Sequence, residues 1–206
     1  MSGRTAFVGA RIFDGARWCD DAALVVEAGL VAQIVPVSAL GGRDTRTDLG
    51  GGFLVPGFID LQVNGGGGVL FNNDPTLAGI ETICAAHAQF GTTRLLVTLI
   101  TDTVGVNAAA IAAGVAASGV PGFLGLHLEG PHLSLARKGT HDPALIRAMD
   151  DSDLARIMAA GAKIPNLLVT VAPETVTPSQ ILVSRTVANP KADPLRAAVA
   201  AVIKAR

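Results

Sequence analysis

The chain has 206 residues, half of them hydrophobic and 16% charged, with a formal net charge of -1. That is enough apolar material for one sizeable core or part of a larger one, and lysines and arginines scattered at near neutrality exclude an electrostatic footprint for nucleic acid or an acidic membrane surface. The composition therefore points to a small-molecule partner.

Two cysteines, Cys19 and Cys84, lie far apart without Cys-x-x-Cys spacing, which argues against a disulfide framework or a thiolate zinc site and fits a reducing cytoplasm. The opening "MSGRTAFVGARIF" is interrupted by glycine and arginine before a signal core could form. No run of about 18 uninterrupted apolar residues follows, so no targeting or membrane-spanning segment is expected.

In chain order, 5–35 reads as short β-branched pieces ("AFVGARIF", "AALVVEAG", "LVAQIVPV") of a small sheet, closed by a glycine-rich connector at 41–52. The rhythm then changes. "GFIDLQV", "TRLLVTLI", "GFLGLHLE" and "NLLVTVAPE" are buried-type strands, and helices are predicted over 75–90, 104–117 and 150–160. Asp74 before Pro75 resembles an N-cap with proline at the first helical position. Alternating strands and helices allow a doubly wound sheet or part of a (β/α) barrel, and the chain is short of the roughly 250 residues of a complete barrel. The fold class expected is α/β: a small β-sheet segment at 1–52, the first half of a (β/α) barrel at 53–181, and a divergent tail at 182–206 with a short helix from Pro194.

Ligands in parallel α/β folds sit beyond the C-terminal strand ends, so polar residues that end an apolar run are the candidates for chemistry. Alternation puts Asp60, Gln62 and Asn64 on one strand face, and Leu61 and Val63 on the other. A second polar ending is His127 and Glu129, followed by His132, and a third is Glu174. A carboxylate at the end of a buried strand is costly unless paired, hydrogen-bonded or bound to metal, which makes Glu129 the leading candidate ligand; capping loop amides is its structural alternative. Gln62 and Asn64 are neutral and weakly ligating, and suit hydrogen bonds to water, to substrate or to strand-end backbone. Glycines 65–68 lack the Gly-Lys-Ser/Thr of a phosphate loop and are expected to let the backbone pass close to something. His141 follows the basic pair Arg137 and Lys138 in a loop, where a lone histidine is usually solvated, but it also lies a short segment after the suspected site. His87 falls inside a helix and reads as packing or surface; His132 is open to either reading.

Together "VPGFIDLQVNGGGGVLFNND" and "GLHLEGPHLSLARKGTHDP" resemble the N-acetylglucosamine-6-phosphate deacetylases of the amidohydrolase superfamily, and the looser "GTTRLLVTLI" and "LLVTVAPE" extend the resemblance over about 4–181. The resemblance implies hydrolysis of an acetamide to glucosamine 6-phosphate and acetate, with one divalent metal, zinc by preference. It places Glu129 as a metal ligand and Gln62 and Asn64 beside the metal. Thr140 and His141 would be the substrate contacts on a small amino-sugar phosphate. The same resemblance calls for two further histidine ligands and a general acid/base aspartate that have no counterpart here: no histidine follows His141, and "LVSRTVANPKADPLRAAVAAVIKAR" is unlike the family.

The sequence thus reads as the first portion of such an enzyme, truncated or frame-shifted after Ile181. It is expected to hold metal poorly and to be inactive alone, or to be a non-catalytic sugar-phosphate-binding remnant. Exposed edges of a half-barrel would invite homo-oligomerisation.

Overall fold

The computed structural model describes residues 4–181 and the backbone of 201–203. Two compact units divide at Gly57 and Phe58.

The first unit is all β. Strands β1 (Arg4–Val8), β2 (Arg11–Phe13), β3 (Trp18–Cys19), β4 (Ala22–Glu27), β5 (Leu30–Pro36), β6 (Thr45–Asp48) and β7 (Phe53–Leu54) form a sheet of order β5-β4-β1-β6 and a smaller one of order β3-β2-β7. Gly9 splits the run read from sequence as one piece into β1 and β2: its φ is +78°, and a Cβ there would lie 2.0 Å from Asp48 Oδ1. Phe53, placed by the sequence in the second region, instead pairs with β2 and packs on Trp18 at 5.3 Å between ring centroids.

The second unit begins with β8 (Phe58–Val63) and a glycine hairpin of β9 (Gly65–Gly66) and β10 (Val69–Leu70). It continues through α1 (Leu77–Ala88), β11 (Thr92–Ile100), α2 (Val104–Ala116), β12 (Phe123–Glu129), α3 (Asp151–Gly161), β13 (Leu167–Val171) and β14 (Ala201–Ile203). The order β14-β13-β12-β11-β8 is sequential and every pairing is parallel. A doubly wound sheet reverses its strand order at a switch point, whereas sequential parallel strands curl in one direction. The result is the expected curled half-barrel.

Apolar side chains on one face of the sheet, among them Leu95, Val97, Leu99, Leu126 and Leu128, form the core with Ile80 and Ile83 of α1 and Ala110 and Ala113 of α2. Gly114 of α2 lets that helix sit on β12, because a Cβ there would fall 2.5 Å from Leu126. Cys84 is buried in this core, which pushes its thiol up to about 11 and leaves it protonated.

All three helices form close to their predicted spans. Asp74, however, is not the cap of α1. Thr76 is, accepting from the Gly79 amide at 3.1 Å, while Asp74 Oδ1 accepts from the Thr76 hydroxyl at 2.8 Å. Helix α3 starts on a capping box in which Asp150 and Asp153 satisfy each other's amides. The predicted tail helix lies outside the described residues except at 201–203, where Ala-Val-Ile runs extended beside Val169–Val171, as β-branched residues favour. Among the described residues no helix is long and apolar enough to cross a membrane.

Candidate functional site

An open pocket of about 1730 Å³ lies at the C-terminal ends of the half-barrel strands, where Gln62, Asn64, Glu129, Thr140, His141 and Glu174 share its lining. The candidates Gln62, Asn64, Glu129, Thr140 and His141 are therefore in one place. Asp60 is not among the lining residues: its Oδ1 accepts from the Gln62 amide at 3.0 Å, and next to it the pairing of β8 with β11 slips between Leu95 and Val97, which align with Asp60 and Val63.

Glu129, the last residue of β12, has a side chain only 13% exposed. A carboxylate so placed needs partners. Gln62 Nε2 donates to its Oε2 at 2.9 Å, and His141 Nε2 stands 4.0 Å from its Oε1.

His141 is buried, not solvated, and Thr101 fixes it. The Thr101 amide lies 3.3 Å and its hydroxyl 2.8 Å from His141 Nδ1. An amide can only donate, so Nδ1 accepts and the ring proton sits on Nε2, directed at the Glu129 side of the pocket. The same hydroxyl reaches the Glu129 carbonyl at 3.4 Å. Gly130 makes this approach feasible: its φ is +100°, and a Cβ would stand 2.1 Å from Thr101 Oγ1.

Behind the pocket wall a polar chain crosses three adjacent strands. Thr98 of β11, His127 of β12 and Thr170 of β13 are linked by contacts of 3.3 and 2.8 Å to the two ring nitrogens of His127. His127 is thereby inside the sheet, and Thr170 carries the chain to the pocket lining. Sequence reading missed Thr101 and Thr170, although both obey the rule that found Glu129, since each is a polar residue at the end of an apolar strand. It also missed Asn72, which clamps the loop after β10 by donating to Asp102 at 2.8 Å and accepting from the Ile100 amide.

His132 resolves to a structural role. Its Nδ1 meets the Arg147 carbonyl at 3.2 Å, and burial lowers its pKa, so the ring is neutral near pH 7. His87 packs as well, with Nε2 2.9 Å from the Gly65 carbonyl. What the glycine run passes close to is its own chain and α1: a Cβ at Gly65 would meet the Val69 carbonyl at 2.2 Å, and one at Gly66 would meet His87 at 2.9 Å.

Among the described residues no three His, Cys, Asp or Glu side chains come close enough to hold a metal ion. Glu129 with an amide neighbour and a histidine aimed past it does not match the three protein ligands of a catalytic zinc site. The arrangement can present one carboxylate, one imidazole N–H and several hydroxyl and amide groups to a polar ligand.

No family model matches the chain. Over 132 residues it is 48% identical to the N-acetylgalactosamine-6-phosphate deacetylase of Shewanella sp. (strain ANA-3), an overlap of 63% of this chain and 33% of that protein. The human N-acetylglucosamine-6-phosphate deacetylase is 36% identical over 137 residues, 64% of this chain and 34% of that one. In three dimensions, the crystal structure of N-acetylglucosamine-6-phosphate deacetylase from Pasteurella multocida superposes with a TM-score of 0.76 at 33% identity, over 84% of this chain and 45% of that chain. The chain spans about a third of the length of the curated relatives it matches.

Proposed function

We propose that this chain, similar to the amino-sugar-phosphate deacetylases over about a third of their length, carries the strand-end part of a site that hydrolyses the acetamide of N-acetylglucosamine 6-phosphate to glucosamine 6-phosphate and acetate. The observation that carries the reading is the convergence of Glu129, Gln62 and His141 on one pocket at the C-terminal strand ends. In this reading Glu129 would be one ligand of a divalent metal, zinc by preference, whose remaining ligands are not among the described residues; the metal would supply a nucleophile and charge stabilisation. This chain's own part is narrower. Gln62 orients the Glu129 carboxylate, Thr101 holds His141 with its Nε2–H toward the substrate, and Thr140 lines the same wall. The two unpaired cysteines support a cytoplasmic setting.

A chimera tests this directly. Residues 4–181, replacing the matching part of a full-length deacetylase, are expected to support acetate release from N-acetylglucosamine 6-phosphate, while the isolated 206-residue chain shows none. The 48% identity to a galactosamine-type enzyme makes N-acetylgalactosamine 6-phosphate the necessary second substrate. A folded chimera inert on both sugars, with an active parent, would defeat the reading.

A second reading, a sugar-phosphate-binding remnant without catalysis, draws on the lack of a three-ligand metal group among the described residues. It predicts heat of binding from the sugar phosphate in both chain and chimera, and turnover in neither.

Self-association belongs to the proposal too. Strand β8 is a sheet edge on which Phe58, Ile59 and Leu61 are more than half exposed. Sedimentation is expected to show a dimer that Ile59→Lys weakens; a monodisperse monomer at high concentration would remove this part.

A further inference from the structure

The stretch between β12 and α3 builds one wall of the pocket, and its two ends are tied to each other. Leu133, Ser134, Thr140 and His141 of this stretch are among the lining residues. At its neck the Arg147 amide donates to the Pro131 carbonyl at 3.1 Å, and the Arg147 carbonyl stands 3.2 Å from His132 Nδ1. A surface loop whose ends meet in this way is held by its neck, and it swings out as a unit when the neck is undone.

His132 is the buried side chain of that neck. A carbonyl only accepts, so the ring proton sits on Nδ1 and Nε2 is the bare nitrogen of the neutral ring. Nε2 stands 3.7 Å from Asp153 Oδ2, too far for a hydrogen bond. The Asp153 oxygens are already engaged, both of them by Arg147, and further by Arg156 at 3.0 Å and the Asp150 amide at 3.2 Å. The charged groups around the ring are thus Asp153 and Arg156 of α3, Arg147 and Asp150 before it, and Asp102 after β11, which lines the same small cavity. From the β13 side the contacts are uncharged: the Ala172 amide and the Thr175 hydroxyl donate to the His132 carbonyl at 2.7 and 2.8 Å.

A second ring proton has to enter at Nε2. There it sets a third cation beside the two guanidinium groups that already share the Asp153 carboxylate, in a site closed to bulk solvent. The cavity beside the ring, about 20 Å³, takes one water and not an imidazole, so the ring has no room to turn away inside the neck. Burial accordingly holds the His132 pKa below its ordinary 6.5, in spite of the pull of Asp153. The stability that the neutral ring gives the closed neck is full above 6.5 and is lost as pH falls below it toward the closed-state value. We infer that His132 is a proton-operated latch on the pocket loop: neutral, it holds the neck of 132–147 shut, and on taking a second ring proton it leaves the neck and lets this wall of the pocket open while the sheet stays folded. The inference is independent of which ligand the pocket takes.

Amide hydrogen exchange of the full chain, corrected for intrinsic rates and compared between about pH 7.5 and about pH 5.5, tests the latch. In wild type the Arg147 amide is expected to be less protected than the β11 amides at both values, and to lose about tenfold of its protection between them, as one proton taken up near pH 6.5 in the open loop requires. His132→Asn keeps a donor for the Arg147 carbonyl without a titrating ring, and His132→Phe fills the place of the ring without a proton to exchange. In either variant the protection is expected to change by less than about twofold, with protected β11 amides as the sign that the variant is folded. Three outcomes overturn the latch. One is an Arg147 amide that exchanges at the rate of β11, which makes the opening global unfolding. Another is wild-type protection that does not change between the two pH values. The last is a tenfold fall that survives in a folded variant, which moves the titration to another group such as His141.

Discussion

Replacing Asp153 by alanine is expected to lower the stability of the chain by about 3–5 kcal/mol, seen as a lower urea midpoint. Asp153 is 3% exposed, yet it is the acceptor for most of the polar ties around α3. Arg147 meets both of its oxygens, Arg156 donates at 3.0 Å and the Asp150 amide at 3.2 Å. Truncation takes the main acceptor from two partly buried guanidinium groups, leaving Arg147, among the described residues, only the Asp150 carboxylate at 3.7 Å, and it opens the capping box.

The pH dependence follows from the same contacts. Burial alone would raise the Asp153 carboxyl, but the Arg147 hydrogen bonds, the Asp150 amide and the charges of His132 and Arg147 outweigh it and hold the group well below the usual carboxylate range. A carboxyl depressed in the folded state stabilises fully above its unfolded pKa, near 3.8, and loses that contribution as pH falls below it toward the folded value. Wild type should therefore lose stability more steeply than Asp153→Ala below about pH 4. His132 adds a separate, earlier loss below its ordinary 6.5, because burial opposes its protonation. A variant within about 1 kcal/mol of wild type, with an unchanged acid limb, would show that the network contributes nothing.

In the chimera described above, Glu129→Gln is expected to reduce acetate release about a thousandfold, equivalent to roughly 4 kcal/mol in the barrier. The substitution keeps size and removes charge, and it leaves a single acceptor oxygen where two carboxylate oxygens face Gln62 Nε2 at 2.9 Å and His141 Nε2 at 4.0 Å, so one of them meets an NH₂. Gln62→Ala should cost less, about 10- to 100-fold, because it loosens the carboxylate without removing it. Retention of more than a tenth of the parental kcat/KM by Glu129→Gln would take Glu129 out of the reaction.

Much of this was legible in the chain because single rules operate over whole elements. The runs around Leu95, Leu126 and Val169 are near-continuous apolar stretches broken only by single buried polar residues such as Thr98, His127 and Thr170, and their sequential order settled barrel against doubly wound sheet only once the strand neighbours were known. Glu129 stood out because a lone carboxylate ending such a run is expensive. Local rules failed where distant contacts intervene. Asp60 lies outside the pocket lining and takes the Gln62 amide at 3.0 Å instead, beside a slip in the pairing with β11 that is a property of two strands and not of one. His141 looked like a solvated loop histidine because nothing within ten residues of it shows that Thr101, 40 positions earlier, would take its Nδ1. Thr76 displaced Asp74 as the cap of α1 by a shift of two residues, within the ordinary blur of helix ends.

The pocket loop is tied at both ends, at His141 by Thr101 and at the His132 carbonyl by the Ala172 amide and the Thr175 hydroxyl, and the two ties differ in when they can exist. Thr101 precedes the loop, but the groups that hold the His132 carbonyl, the Ala172 amide and the Thr175 hydroxyl, follow it by about 40 positions. A growing or refolding chain can align β8, β11 and β12 before those groups are placed, and until β13 docks the loop pays its closure entropy with one end untied. The pocket is thus expected to complete late in folding, because the segment that opens the recognition surface is secured by groups made about 40 residues after it.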